Sequence, residues 1–243
     1  MADVIQAIIF DLDDTLYDEI DYMRSGFQEV CRELERRGVR DALASTDFLE
    51  RAHRQDRSDV LQQLAQQLEF PIEWIPALAQ HMREHEPRIR LPDETVRVLS
   101  SLRRNFRLGC VTDGWLAVQQ RKANALGVEL HLDSIVFSDE FGRSAWKPHP
   151  RPFLECCARL KVEPTHALFV GDNPERDLVG AKNAGMRAIR IRRPLGYFST
   201  VATNADVAPI AECFTLAELS DFIVSQLVLS SELLLPLQQV LHT

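Results

Sequence analysis

The segment Ile8-Ile9-Phe10-Asp11-Leu12-Asp13-Asp14-Thr15-Leu16 places an acidic turn directly after a short apolar run, Val4 to Phe10. A run of this length and composition predicts a buried strand. Because side chains alternate along extended chain, we expect Asp11 and Asp13 on the same side at the strand's end. Crowded carboxylates repel each other unless one is protonated or a divalent cation lies beside them. Taken alone, the pair also fits an ordinary acidic turn.

Four further apolar runs alternate with stretches of helical period. These strands are predicted at Arg107 to Val111, Ser134 to Phe137, Ala167 to Val170 and Arg187 to Ile191. Near-continuous apolar strands separated by helices are typical of a parallel sheet covered on both faces. The sequence therefore predicts an α/β fold with a doubly wound, Rossmann-like core. Ligands of such sheets bind beyond the carboxyl ends of the strands.

Helix ends are marked by particular residues. Asn173 followed by Pro174 suits an N-cap and a first helical residue, and Gly185 suits the position just past the end of that helix. Gly127 would end a second helix, Trp115 to Leu126, in the same way.

One interval, Tyr17 to Arg90, contains no convincing strand. Its segments of helical period are Tyr22 to Arg37, Phe48 to Leu68 and Ile72 to Glu86. We interpret residues 1–16 and 91–224 as an α/β core and residues 17–90 as an inserted helical cap. Residues 225–243 form a leucine-rich tail, expected to pack as a helix on the core or on a second subunit.

Composition and charge limit the kinds of molecule that we expect the protein to bind. The formal net charge of −8 opposes nucleic-acid binding, and the basic residues Arg187, Arg190, Arg192 and Arg193 are interpreted as the solvated edge of a strand. The first apolar run lacks the features of a signal peptide or membrane span, so we expect a cytoplasmic protein without a membrane partner. The five cysteines have no metal-site spacing and are expected as reduced, mostly buried thiols.

Polar groups follow three later strands as well. They lie in Thr112-Asp113-Gly114, in Lys147-Pro148 and in Gly171-Asp172-Asn173-Pro174-Glu175-Arg176-Asp177. A phosphoryl group at this sheet edge would meet the Thr112 hydroxyl and the backbone amides of Thr112 to Gly114. Lys147 would balance its charge, and Asp172 would complete an oxygen site for Mg²⁺.

These motifs resemble those of haloacid dehalogenase superfamily hydrolases, namely the phosphatase-like branch of subfamily I with a helical C1-type cap. Asp11 to Thr15, Thr112, the Lys147-Pro148 pair and Gly171 to Asp177 match the four family motifs in order, and the resemblance extends from Val4 to about Phe222. It implies that Asp11 attacks phosphorus to form an aspartyl-phosphate. It also implies that Asp13 protonates the leaving oxygen and later activates water.

The same resemblance implies Mg²⁺ as cofactor, bound by the Asp11 carboxylate, the Asp13 backbone carbonyl and Asp172. Thr112 and Lys147 would hold the phosphoryl group, while Asp177 would orient Lys147 or metal-bound water, or would simply place charge in a first helical turn. Asp14 is given no catalytic role, and Thr15 is expected to shape the turn.

The resemblance implies a small phosphomonoester as substrate, and we expect a monomer or homodimer. Sugar phosphates (including nine-carbon acid sugars), nucleoside monophosphates, flavin mononucleotide and phosphoglycolate all remain open. We expect the cap to choose among them. Its candidate contacts are Tyr17, Tyr22, Arg24, Phe27, Arg51, His53, Arg54 and Arg57.

Three alternatives to a phosphatase stay open at this point. A sugar phosphomutase uses the same core. A dehalogenase would need no acidic residue at Asp13. A receiver-type phospho-switch also combines acids, a Thr and a Lys, but without an insertion after its first strand.

Overall fold

The computed structural model describes residues 5–232 and contains a six-stranded sheet. The strands are parallel and ordered β3-β2-β1-β4-β5-β6. They are β1 (Ala7–Phe10), β2 (Arg107–Thr112), β3 (Ser134–Phe137), β4 (Ala167–Gly171), β5 (Arg187–Ile191) and β6 (Ala211–Cys213). In the centre, Phe10 of β1 pairs with Cys110 of β2 and with Val170 of β4.

Helices cover both faces of this sheet and form the insertion. They are α1 (Glu19–Arg36), α2 (Thr46–Gln55), α3 (Val60–Leu68), α4 (Ile75–Glu84), α5 (Asp93–Leu102), α6 (Leu116–Leu126), α7 (Arg151–Leu160), α8 (Val179–Asn183) and α9 (Leu216–Glu232). The predicted α/β class and parallel sheet are thus confirmed.

Alternation along β1 separates the two layers of the core. Ile8 and Phe10 pack in a buried cluster with residues of α5, α6 and α9. Ile9 packs in a second cluster with residues of α7 and α8. A strand apolar on both faces is therefore covered by helices on each side, as the near-continuous apolar run predicts.

The five predicted strands are all present, and Ser134–Phe137 and Arg187–Ile191 agree at both ends. Val4, the start of the first predicted run, lies outside the described residues. The sixth strand, β6, was not predicted. It has three residues, its middle residue is the charged Glu212, and it pairs with β5 at the sheet's edge, so it carries no apolar run.

The insertion is helical, as expected, and helices α1 to α4 share a buried cluster that includes Phe27, Leu49 and Leu78. The segment of helical period from Phe48 to Leu68 forms two helices, α2 and α3, rather than one. Helix α2 ends at Gln55. Just after it, the Asp56 carboxylate accepts hydrogen bonds from the backbone N–H and the hydroxyl of Ser58. Such local bonds compete with a continuing helix.

The helix signals after β4 are confirmed. The Asn173 side chain accepts from the N–H groups of Glu175 and Arg176, and Gly185 has φ 79°. One turn of π-helix, Pro174–Leu178, precedes α8, and such turns are frequent at functional sites. Gly127 closes α6 with φ 62°.

Helix α9 crosses residue 225, where we placed the start of the tail, and the remainder of the tail lies outside the described residues. Among the described helices, none combines the length and apolar character that a membrane span needs. All five cysteines are buried and free of disulfide bonds, as predicted.

Candidate active site

The site centres on a buried lysine between two aspartates. Lys147 Nζ lies 2.5 Å from Asp11 Oδ1 and 2.7 Å from Asp177 Oδ1. Asp11 directly follows β1, and its N–H donates to the Val170 carbonyl of the neighbouring strand, which fixes it at the carboxyl edge of the sheet. The ion pair leaves Asp11 Oδ2 outside these contacts. Asp11 therefore offers one carboxylate oxygen to the cavity.

A third acid, Asp172, joins this cluster. Carboxylate oxygens of Asp11, Asp172 and Asp177 all lie within 4.8 Å of one another. Burial raises the pKa of Asp11 well above its usual value, and Asp177 and Asp13 add to this while Lys147 opposes it. Three buried acids facing one ammonium fit a hard divalent cation with oxygen ligands, because excess negative charge is otherwise costly there.

Asp177 supports the cluster from behind. Its second oxygen, Oδ2, accepts from the Asn173 N–H at 3.0 Å, so both oxygens are engaged. A Cβ at Gly171 would collide with this carboxylate, which explains the glycine at the end of β4. Asp177 thus contacts Lys147, and its expected role in orienting that lysine stays a prediction.

Asp13 lies on the same cavity but contacts a different element. Its two oxygens each lie 2.8 Å from Nζ of Lys122, on α6. Tyr17 donates to Oδ1 and Gln119 to Oδ2. Asp11 and Asp13 both line the cavity, but β1 ends at Phe10, so strand alternation is not what places Asp13 there.

The surroundings of Asp13 favour its ionised form. Burial on its own would raise its pKa, but Lys122, Tyr17 and Gln119 outweigh burial and hold the pKa below the usual value. Sequence reasoning missed Lys122 and Gln119. The available signal was their spacing of three on the helix after Gly114, which places them on one helix face.

Thr112 ends β2 with a buried hydroxyl that has no hydrogen-bond partner among the described residues. A buried polar atom of this kind calls for a ligand or water. Asp113 Oδ1 accepts from the Lys147 N–H at 3.2 Å, and Gly114 has φ 133° with Gln119 packed against it. The predicted contacts of this segment with a phosphoryl group stay a prediction.

The Asp14 carboxylate holds neighbouring backbone segments together. Asp14 adopts φ 53°, and its carboxylate accepts from the N–H groups of Glu19 and Tyr197. Burial raises its pKa to about 6, and the Glu19 carboxylate adds to the effect. Asp14 thus ties the turn after β1 to α1 and to the loop that carries Tyr197. The Thr15 carbonyl accepts from Arg193 in the same region.

The basic cluster near β5 is not simply a solvated edge, and that interpretation is wrong for Arg190. This side chain is fully buried and donates to the backbone carbonyls of Asp172 and Phe198 and to the Thr203 hydroxyl. A guanidinium spreads its donors in a fixed fork, which suits it to bridge several acceptors.

A cavity of about 380 Å³ opens over these residues. Of the candidate cap contacts, Arg57 lines it, stacked 3.8 Å from the centre of the Tyr197 ring and paired with Glu19 at 3.0 Å. Arg24 is instead paired with Glu50 and Asp21, while Phe27 and His53 are buried in the cap. Arg176 and Phe198 complete the core side of the wall.

Comparison with known proteins agrees with this geometry. The family model of haloacid dehalogenase-like hydrolases matches residues 8–191, and the chain belongs to that family. It is 29% identical over 237 residues to a glyceraldehyde 3-phosphate phosphatase of Methanopyrus kandleri, an alignment covering 90% of this chain and 97% of the relative. It is 28% identical to the N-acylneuraminate-9-phosphatase of Mus musculus, with 76% and 81% covered.

Among solved structures, a 2-haloacid dehalogenase from Pseudomonas syringae pv. Tomato matches with a TM-score of 0.63 and 25% identity, covering 92% of this chain and 100% of that one. The family and its phosphatase relatives indicate an enzyme, a phosphoric monoester hydrolase. A non-enzymatic phospho-switch is therefore disfavoured.

Proposed function

We propose that this protein is a Mg²⁺-dependent phosphatase that hydrolyses a small phosphomonoester through an aspartyl-phosphate on Asp11. The observation that carries the proposal is the buried cluster in which Lys147 bridges Asp11 and Asp177 beside Asp172. The Lys147 ammonium holds one oxygen of the Asp11 carboxylate, and Asp11 lines the cavity. The other oxygen of Asp11 is therefore placed to attack phosphorus.

In the first step, Asp11 Oδ2 attacks phosphorus and the bond to the leaving oxygen breaks. Asp13, which its surroundings hold ionised in the free enzyme, takes a proton from the incoming phosphomonoester monoanion and gives it to that oxygen. Lys147 balances the charge of the phosphoryl group. The Thr112 hydroxyl, which has no partner among the described residues, donates to one of its oxygens. In the second step the Asp13 carboxylate takes a proton from water, which attacks the phosphoenzyme and frees Asp11.

The acidic cluster fits Mg²⁺, which would be held by the Asp11 carboxylate, the Asp172 carboxylate and the Asp13 backbone carbonyl. Asp177 is excluded from this set because Lys147 and the Asn173 N–H already engage both of its oxygens. When bound, Mg²⁺ offsets the negative charge that three buried acids and a phosphate bring together.

Asp13 favours phosphatase over dehalogenase chemistry, because displacing a halide needs no acid for the leaving group. The cavity of about 380 Å³ suits a small ester, whose non-phosphate part would meet Arg57, Glu19 and Tyr197. The two named relatives act on different phosphorylated compounds, so ranking a panel of phosphomonoesters by kcat/KM with Mg²⁺ identifies the substrate class.

Rapid-quench trapping tests the mechanism. With a ³²P-labelled ester, the native enzyme should form an acid-stable, base-labile phosphoenzyme that maps to the Asp11 peptide. Asp11→Asn should form none, because an amide is a poor nucleophile, and activity should fall by more than about 10⁴. Label on another residue, or normal turnover by Asp11→Asn, would contradict the proposal.

A further inference from the structure

Lys122 is a buried lysine to which the mechanism above gives no task. Its side chain is 3% exposed, although it lies on a helix that covers the sheet, where a lysine ordinarily extends its ammonium into water. Burying an ammonium is costly unless it is paired and hydrogen-bonded. Both Asp13 oxygens supply that pairing, each 2.8 Å from Nζ.

The Asp13 carboxylate is held on both oxygens. Oδ1 also accepts from the Tyr17 hydroxyl at 2.5 Å, and Oδ2 from Gln119 Nε2 at 3.2 Å. A carboxylate bound on one oxygen can still swing, whereas donors on both oxygens fix its plane and its position. The orientation of Asp13 is therefore determined by side chains that do not line the cavity.

Lys122 is itself held by the first cap helix. Its Nζ lies 4.3 Å from the centre of the Tyr22 ring and 3.7 Å from Glu19 Oε1. Both contacts come from α1, while Lys122 belongs to α6 of the core. The Lys122 ammonium thus lies between Asp13 of the core and α1, the first helix of the cap.

From these contacts we infer that Lys122 is a positioning residue, which fixes the Asp13 carboxylate at the place from which it serves the leaving oxygen and the attacking water. The inference rests on the proposed role of Asp13 as acid and base. Proton transfer is sensitive to placement, and a displacement of about 1 Å costs on the order of 10²-fold in rate. A purely structural lysine would instead affect stability and leave the dependence on the leaving group unchanged.

Lys122→Met tests this, because methionine keeps most of the length and removes the charge. For an alkyl phosphate with Mg²⁺, kcat should fall about 10- to 100-fold with KM changed less than about 3-fold. Phosphoenzyme formation from an aryl phosphate, whose leaving group needs little protonation, should stay within about 3-fold of the native rate in a single turnover. Lys182→Met, an exposed helical lysine bonded to the Asp206 carbonyl, is the matched control and should behave as the native enzyme.

A double variant separates this inference from the proposed function. On an Asp13→Asn background, Lys122→Met should cost nothing further with the alkyl ester, because its effect passes through Asp13. Equal losses on alkyl and aryl esters, or losses that multiply in the double variant, would overturn the inference. Native rates for Asp13→Asn itself would instead remove the proposed acid and base role.

Tyr17→Phe decides the matter if Lys122→Met does not fold. It deletes one donor to Asp13 and keeps the buried ring. We expect the same selective loss with the alkyl ester, about 10- to 150-fold, which corresponds to one hydrogen bond to a charged group. Native rates on both esters would then overturn the inference.

Discussion

The core and the cap face the same cavity with different kinds of side chain. The core contributes Asp11, Asp172 and Lys147, which are buried and held at the ends of strands or in the loop that supports them. The cap contributes Arg57, which lies on the link between α2 and α3, is partly exposed and is held by Glu19 and Tyr197. The difference suggests that the backbone of the sheet determines the chemistry, whereas a few replaceable contacts determine selectivity.

Metal removal should have the largest effect and should act through the core alone. Treatment with excess chelator should abolish turnover of every ester tested, because the acidic cluster then repels an anionic substrate. Added Mg²⁺ should restore it, and circular dichroism before and after shows whether the fold persists. Full turnover in excess chelator would show that the residues of the core do not need a bound metal ion for activity.

Asp13→Asn should have the next largest effect. Loss of a general acid and base costs about 10² to 10⁴ in rate, so turnover of an alkyl phosphate should fall by that factor. With an aryl phosphate the first step should be spared while attack of water is slow, so aspartyl-phosphate should accumulate. Rapid-quench labelling measures this, and native rates on both esters would show that Asp13 has only a structural or metal-site role.

Arg57→Ala should have a smaller effect that depends on the substrate. We expect kcat/KM to fall about 10-fold for esters whose non-phosphate part is polar or anionic, through KM, because one charged contact is lost. Phosphoenzyme formation at saturation should remain. Arg54→Ala, at an exposed position one turn away in the cap, is the matched control. An unchanged substrate ranking for Arg57→Ala would place selectivity elsewhere.

Replacing the buried His53 should affect only the stability of the cap. Burial lowers its pKa to about 4, and the nearby Arg57 and Arg54 add to the effect. A histidine whose folded pKa is depressed takes up a proton on unfolding, so its contribution costs stability as pH falls from about 6.5 to about 4, by on the order of 1–3 kcal/mol. Urea unfolding at several pH values should show a shallower pH dependence for His53→Asn than for the native protein, and an unchanged slope would contradict this prediction.

The sequence identified the parts of the site that belong to strand ends. Asp11, Thr112, Lys147 and Asp172 each follow or end an apolar run, or lie in the loop beyond one, and a parallel sheet brings such positions to a single edge. Their grouping could therefore be predicted without knowing any side-chain rotamer.

Contacts made by helix faces and loops could not be predicted in this way. Lys122 and Gln119 look like ordinary polar helix residues until the packing of α6 turns them inward to Asp13. Arg190 looks like an exposed strand residue until the loop after β5 folds over it. The break between α2 and α3 depends on a local bond of Asp56 that competes with a helix of favourable periodicity.

The buried Arg190 has an evolutionary consequence. Its guanidinium donates to the carbonyl of Asp172, in the inner loop after β4, and to that of Phe198, in the outer loop after β5 that lines the cavity. The base of the outer loop is thereby anchored to the inner one, while its tip at Tyr197 is 52% exposed and faces the cap. Related enzymes could exchange the residue at the tip, and with it the compound admitted, while the acids beneath keep their spacing. The buried guanidinium of Arg190 would thus allow substrate selectivity to change among related enzymes while the reaction stays the same.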